Sequence, residues 1–329
     1  MRLAVDTLAS TGSRPEPICS LQCLYALQGL RLTRQNFSFE IRGNVMIEKI
    51  LLADSGTGHS EEMLKNLMEI PAIQKAQVTI LHVVPSQITT DAMTERWEEG
   101  GKILASAIQN LNLDPSHVTA MLRQGDPKDV VVKVADEIDA DLIIMGSRGL
   151  TRIISILENS VSQYVFQLSS RPMLLVKDDI YVRKIKRIMV AIDKSASARK
   201  CLDLALFLLR DVKGGQLSLV HVDPKPTGKE DPKYGVEAEK DEALTEAIAQ
   251  VKKAGISYQC VSATGKAGEL ICQLAEDQQI DLLMLGSPDR RPSIAKGLPD
   301  LDRLLGTSLS DYVRVYADVP VLLARTASN

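Results

Sequence analysis

One series of landmarks occurs twice in this chain at nearly constant separation, and this limits what it can fold into more than any other feature. Asp54, closing the apolar run Ile50-Leu51-Leu52-Ala53, returns as Asp193, 139 residues on, and His82 returns as His221 at the same interval. Gly125 returns as Gly265 and Gly146 as Gly286, both 140 residues on. Pro172 and Pro320 are 148 apart, so the second copy carries about eight extra residues, in the stretch from Pro288 to Leu305. A period this long is the duplication of a whole domain; a solenoid repeats every 20–50 residues.

Each copy alternates short apolar runs with segments of helical spacing. In the first, the spacing predicts strands over 47–54, 78–84, 118–123, 142–145 and 172–176. It predicts helices over 61–70, 90–111, 130–138 and 161–169, with Ser60 as the cap of the first. Asp126 followed by Pro127 is a helix-start signal. The strand runs are continuous rather than alternating, as in strands buried on both faces. The fold class that follows is α/β: two tandem doubly wound parallel sheets, one over 46–180 and one over 185–329. Residues 1–45 differ in kind, with 1–17 rich in Ser, Thr, Pro and Gly, 18–27 a moderately apolar patch, and the charged residues mostly arginine. They fall outside the fold, either because translation begins at Met46 or because they are a disordered tail.

Composition removes several classes of function. The net charge of −3 gives no basic field for nucleic acid. With only 4% aromatic residues, base-stacking platforms have little to be built from. No apolar run approaches the roughly 18 residues of a membrane span. The five cysteines (Cys19, Cys23, Cys201, Cys260 and Cys272) include no CxxC pair, so neither a disulfide framework nor a zinc site is indicated. A reducing cytoplasm is the expected location.

The chemistry is concentrated in Asp141-Leu142-Ile143-Ile144-Met145-Gly146-Ser147-Arg148-Gly149. An apolar strand ends in two glycines three positions apart, and Asn159-Ser160-Val161 opens a helical stretch ten residues later. Glycine lets the backbone come close to a ligand. A helix start offers unpaired N–H groups and a positive dipole end, which suit phosphate. An ordinary strand-to-loop turn has the same residues. Asp54 can accept from an adenine amine or a ribose hydroxyl, or can be a turn aspartate. Ser160 can be a plain helix cap, and Arg148 can pair with phosphate or lie in solvent. His82 and His221 read best as strand-end histidines bonded to nearby backbone.

With the repeat in view, each half resembles the universal stress protein family, whose fold is of the adenine nucleotide alpha hydrolase-like type. Nucleotide-binding members carry Gly-x-x-Gly, nine residues, then Gly-Ser or Gly-Thr. The first half has Gly146, Gly149, nine residues, then Asn159-Ser160, departing only at Asn159. The resemblance implies an adenine and ribose end at Asp54 and Val83, ribose contact at Met145 and Gly146, and phosphates held by Gly149, Asn159, Ser160 and Val161. In the second half Asp289 stands where the second glycine belongs, and Thr307-Ser308 at the Asn159-Ser160 positions. A carboxylate there repels a polyphosphate, so that half is expected to have lost or altered the site.

The resemblance implies a binding protein for ATP or a related adenine nucleotide, with Mg as a candidate companion, acting on a protein partner the sequence does not identify. Two alternatives stand beside it: a dimerising scaffold without nucleotide, and a slow ATP hydrolase. No Gly-x-x-x-x-Gly-Lys-Ser/Thr loop or kinase signature favours an enzyme. Family members commonly pair through their last strands, so the two halves are expected to pair within the chain through 172–176 and 320–324. The whole chain is a candidate homodimer.

Overall fold

The computed structural model describes residues 46–147, 161–224, 230–287 and 308–325. The first half runs β1 (Lys49–Ala53), α1 (Ser60–Met68), β2 (Gln77–Val84), α2 (Thr90–Leu111), β3 (Val118–Gln124), α3 (Pro127–Glu137), β4 (Leu142–Ser147), α4 (Val161–Leu168) and β5 (Met173–Lys177). The second runs β6 (Arg187–Ala191), α5 (Ala196–Leu209), β7 (Gln216–Pro224), β8 (Glu230–Tyr234), α6 (Glu242–Ala254), β9 (Ser257–Gly265), α7 (Ala267–Asp277), β10 (Leu282–Gly286), α8 (Leu309–Tyr316) and β11 (Val321–Ala324). The second half thus repeats the first, with β8 added.

The expected elements form, with two differences. Ser60 is the first helical residue of α1 and is 1% exposed; His59 precedes the helix and makes no side-chain cap bond. At α3 the sequence signal holds: Asp126 accepts from the Lys128 N–H and Pro127 occupies the first turn. The second difference is β8. Its polar sequence has no strand periodicity, and it forms because it can pair antiparallel with β9.

All strands lie in one sheet, ordered β3-β2-β1-β4-β5-β11-β10-β6-β7-β9-β8. Pairing within each repeat is parallel, apart from β8. At the centre β5 and β11 pair antiparallel, with Val321 opposite Leu175, Leu322 opposite Leu174 and Leu323 opposite Met173. Along β1, Ile50 and Leu52 enter the core on one face and Leu51 the core on the other. Both cores continue across the β5–β11 join: α1, α2, α5 and α6 cover one, and α3, α4, α7 and α8 the other. The join explains why α5 is apolar almost all round. It packs on β6, β10 and β11, and ten of its fourteen residues are buried.

Side chains clamp the join with an approximate two-fold relation. Lys177 Nζ donates to the Val315 carbonyl at 3.2 Å, near the end of α8. Arg325, 148 residues on, donates through Nη1 to the Gln167 and Ser169 carbonyls, both at 3.3 Å, at the end of α4. A helix C-terminus has carbonyls without intrahelical partners and a negative dipole end, so a cation from the opposite half suits it. Arg325 is 0% exposed and lies over the Phe166 ring at 4.0 Å. Its own carbonyl accepts from Lys200 Nζ at 2.7 Å.

Candidate functional site

Asp54 is the first residue past β1. Its N–H continues the ladder to the Leu81 carbonyl at 2.9 Å. Its carbonyl lies 2.9 Å from His82 Nδ1; since a carbonyl only accepts, that ring nitrogen carries the proton. Oδ1 accepts from the Gly56 N–H at 3.0 Å, closing a turn in which Gly56 has φ +77°. Oδ2 is buried with no hydrogen-bond partner among the described residues, in a residue only 5% exposed. A buried acceptor left unpaired is costly, and native proteins leave few without a purpose. Burial, first, pushes the Asp54 carboxyl above the usual aspartate range. The Gly56 N–H opposes this, the Glu61 carboxylate adds to it, and His82 opposes it.

Strand register brings the other predicted residues to this point. Ala53 pairs with Leu81 on one side and Met145 on the other, which sets Asp54 beside His82 and Gly146. Val83 follows His82 and is half-buried; Met145 is 6% exposed. The chain leaves β1 for β2 in one direction and reaches β4 in the other. Asp54 therefore sits at the topological switch, past the strand C-termini, where open α/β sheets bind ligands. Val161 opens α4. Arg148, Gly149, Asn159 and Ser160 lie outside the described residues.

Gly146 and its twin Gly286 are in opposite situations. Among the described residues, a Cβ on Gly146 would meet only Asp178 Oδ1 at 3.8 Å and the Thr57 carbonyl at 4.0 Å, ordinary contact distances. A Cβ on Gly286 would lie 2.6 Å from the Ala198 nitrogen and 2.7 Å from both the carbonyl carbon and the Oγ of Ser197. The start of α5 thus fills in the second half the space left open in the first. The second helix start is also self-satisfied. Ser308 caps α8 by accepting from the Asp311 N–H at 3.2 Å, and its Oγ donates to Asp311 Oδ2 at 2.6 Å. Asp311 and Arg314, 3% and 7% exposed, pair at 3.8 Å. Counted back by 148, their places in α4 are held by Gln163 and Phe166. A carboxylate already sits where an anion would bind.

The strand-end aspartates are not in equivalent places: the Ile192 N–H bonds the Val220 carbonyl as the Asp54 N–H bonds that of Leu81, so register puts Ile192 where Asp54 stands and Asp193 one residue beyond. Asp193 is exposed, and its Oδ1 accepts from the Ser195 N–H at 2.8 Å. It borders a cleft of about 270 Å³ between α5 and α6, with Lys194 and Arg199 on one wall and Glu242 and Glu246 on the other. His82 bonds backbone as expected from the sequence. His221 bonds a carboxylate instead: Nδ1 lies 2.7 Å from Asp241 Oδ2, which also accepts from Ser262 Oγ at 2.6 Å. Asp241 caps α6 through the Ala243 N–H. Burial raises its pKa, but bonds from Ser262, His221 and Ala243 outweigh it and hold the carboxyl below the ordinary range.

These two aspartates give opposite pH signatures. With its folded pKa lowered, Asp241 adds stability that is present above the unfolded value of about 3.9 and is lost as pH falls through the folded value. With its folded pKa raised, Asp54 adds stability only at low pH, lost as pH rises through the folded value. Asp241→Asn is therefore expected to lower stability at neutral pH and Asp54→Asn to raise it. Both differences should shrink on acidification, as urea titrations from pH 3 to 8 would show.

Sequence reasoning missed Gly56, Glu61 and Asp178 as neighbours of the site. Gly56 had a signal, lying in a glycine-bearing turn directly after the strand-end aspartate. Among the described residues no group of three or more His, Cys, Asp or Glu is placed to hold a metal ion. No described helix is long and apolar enough to cross a membrane.

Comparison with known proteins agrees with the duplication. A model described as the universal stress protein family matches residues 46–177 and again 184–325. Universal stress protein YxiE of Bacillus subtilis is 28% identical over 148 residues, 40% of this chain and 100% of that one. A universal stress protein of Thermus aquaticus is 30% identical over 139 residues, again 40% of this chain and all of the relative. A crystal structure of a universal stress protein from Archaeoglobus fulgidus covers 86% of this chain and 98% of its own, with a TM-score of 0.68 at 22% identity. The two-half architecture therefore has a solved counterpart.

Proposed function

The chain belongs to the universal stress protein family, with the family's domain present twice in tandem, and from that premise we propose that its first half binds ATP or a related adenine nucleotide while its second half does not. The observation that carries this reading is the buried, unpartnered Oδ2 of Asp54 beside the open space over Gly146. A ribose hydroxyl or an exocyclic amine would supply the missing donor and repay the burial of the carboxylate. Asp54, Val83, Met145 and Gly146 line the adenine and ribose end. The phosphates extend toward Arg148, Gly149, Asn159, Ser160 and Val161, where the start of α4 offers a positive dipole end. A Mg ion would be held through phosphate and water oxygens, as is usual for this cation.

The protein is read as a binding module over 46–180 joined to a structural twin over 185–329, acting in the cytoplasm. Occupancy alters a protein partner's contact only if the partner-competent conformation binds nucleotide differentially. Calorimetry with ATP, ADP, AMP and GTP tests the site. Asp54→Asn keeps the acceptor for Gly56 but removes the charge, and is expected to weaken adenine nucleotide binding about 10- to 100-fold. Silence against all four nucleotides at millimolar concentration, or equal affinity in the variant, would sink the proposal. The dimerising scaffold would then be the better description.

A further inference from the structure

The outer edge of β3 ends the sheet without a strand partner among the described residues. Its twin β9 is not left so. There β8 pairs antiparallel, Lys233 opposite Ser262 and Tyr234 opposite Val261, and the segment after it buries Ala238 in the core beside α6. In the first half the connection from β2 to α2 spans only residues 85–89, too short to do the same. An open edge of seven residues is a template for another strand. Sheet edges usually carry Pro or Lys against this; β3 (Val118-Thr119-Ala120-Met121-Leu122-Arg123-Gln124) has neither.

Helix α2 extends the same surface. Its orientation is fixed on one flank by Asn110, which donates to Glu61 on α1 at 3.0 Å, and by Ile103, which lies against Gly56. At 100° per residue, that flank carries Arg96 and Glu99, with Glu95 and Lys102 at the solvent-facing apex. The opposite flank, beside β3, carries Thr94, Trp97, Gly101 and Ile108, an uncharged strip with Ala105 and then Glu98 at its solvent-side border. Trp97 is 38% exposed and Ile108 43%, and nothing lies within 4 Å of a Cβ on Gly101. An uncharged strip with an exposed tryptophan next to an unpaired strand edge marks an interaction surface.

We propose that this surface binds a second copy of the chain, β3 against β3 in antiparallel register about a two-fold axis at Met121. Geometry favours self-association because the two layers share one centre. Met121 is the middle residue of β3. Gly100 packs on Leu122, and α2 runs antiparallel to β3. The midpoint between Trp97 and Ile108 lies two to three residues further along α2, about 4 Å at 1.5 Å per residue, which is level with Met121 at about 3.3 Å per strand residue. The axis that pairs β3 with itself therefore places Trp97 of one copy against Ile108 of its partner, across the small Gly101. It also sets Arg123 opposite Thr119 and Ala120 opposite Leu122, so no like charges face each other. Such an isologous contact closes on itself. The chain already joins two edges antiparallel at β5 and β11.

Sedimentation equilibrium of the full chain from about 1 to 100 µM tests this. The wild type is expected to be a dimer that Trp97→Lys and Ile108→Glu each weaken by about tenfold or more, at exposed positions that leave the circular dichroism unchanged. Glu99→Lys, on the other flank, should have no effect. Carrying Trp97→Lys and Ile108→Glu in one chain places lysine against glutamate twice and should restore association. A monomer at about 100 µM, a dimer insensitive to the single substitutions, or a double variant no better than either single would each overturn the proposal.

Discussion

Gly286→Ala is expected to destabilise the protein by about 1–3 kcal/mol, the cost of forcing one extra methyl into a filled core, while Gly146→Ala is expected to be close to neutral. The two glycines hold the same position in the repeat, Gly146 next to last in β4 and Gly286 last in β10. At Gly286 the added carbon would lie 2.6–2.7 Å from main-chain atoms at the start of α5. Backbone in the first turn of a helix packed against the sheet cannot move aside as a flexible side-chain tip can. At Gly146 the nearest atoms are at ordinary contact distance. A larger residue at Gly146 is expected to abolish nucleotide binding without loss of stability, because the space it fills is the one assigned to the ligand. Urea unfolding of the two alanine variants, with calorimetry on Gly146→Val, measures both effects. Equal destabilisation by the two alanines would show that the crevice over Gly146 is filled by protein after all.

The second large effect is expected at Arg325, for which Arg325→Ala should cost about 3 kcal/mol or more. The substitution removes donors from two helix-end carbonyls, at about 1–3 kcal/mol each when left buried and unpaired. It also removes the contact with the Phe166 ring and leaves a cavity at the join of the halves. Lys177→Ala, its counterpart, should cost less. Lys177 is not fully buried, and its second partner, Asp318, is exposed. Thermal unfolding followed by circular dichroism would read both. A transition that splits in two for Arg325→Ala would show the halves melting separately; an unchanged midpoint would mean that the strand pairing and the two cores hold the join without it.

These predictions divide along the line between what residue order reveals and what it hides. The helix over 90–111 forms with the ends its spacing implies, because an amphipathic pattern of that length has one way to cover a sheet. The strand that closes on Asp54 was legible for a similar reason: a continuous apolar run must be buried on both faces. At the candidate site, the register among β1, β2 and β4 follows from the fold and brings Asp54, Val83, Met145 and Gly146 together. The role of Ser60 was misjudged because a serine before a helical run is a cap only if the chain bends there; here the helix starts one residue early and buries it.

Order along the chain was sufficient for the duplication, the α/β class, the direction of the strands and the end of the sheet where a ligand belongs, since periodicity and landmark spacing are properties of the string itself. It could not separate two glycines in equivalent places, nor show that register puts Ile192 rather than Asp193 where Asp54 stands. The surroundings come from elements far away in the chain: among the described residues Gly146 is open while Gly286 is packed by α5, and buried Ile192 takes the place of Asp54. Packing compares neighbours in space, and the joined sheet puts α5 at the centre of the molecule and α2 at its rim. Among the described residues, that placement leaves one crevice open, closes the other, and leaves the outer edge of β3 without a strand partner.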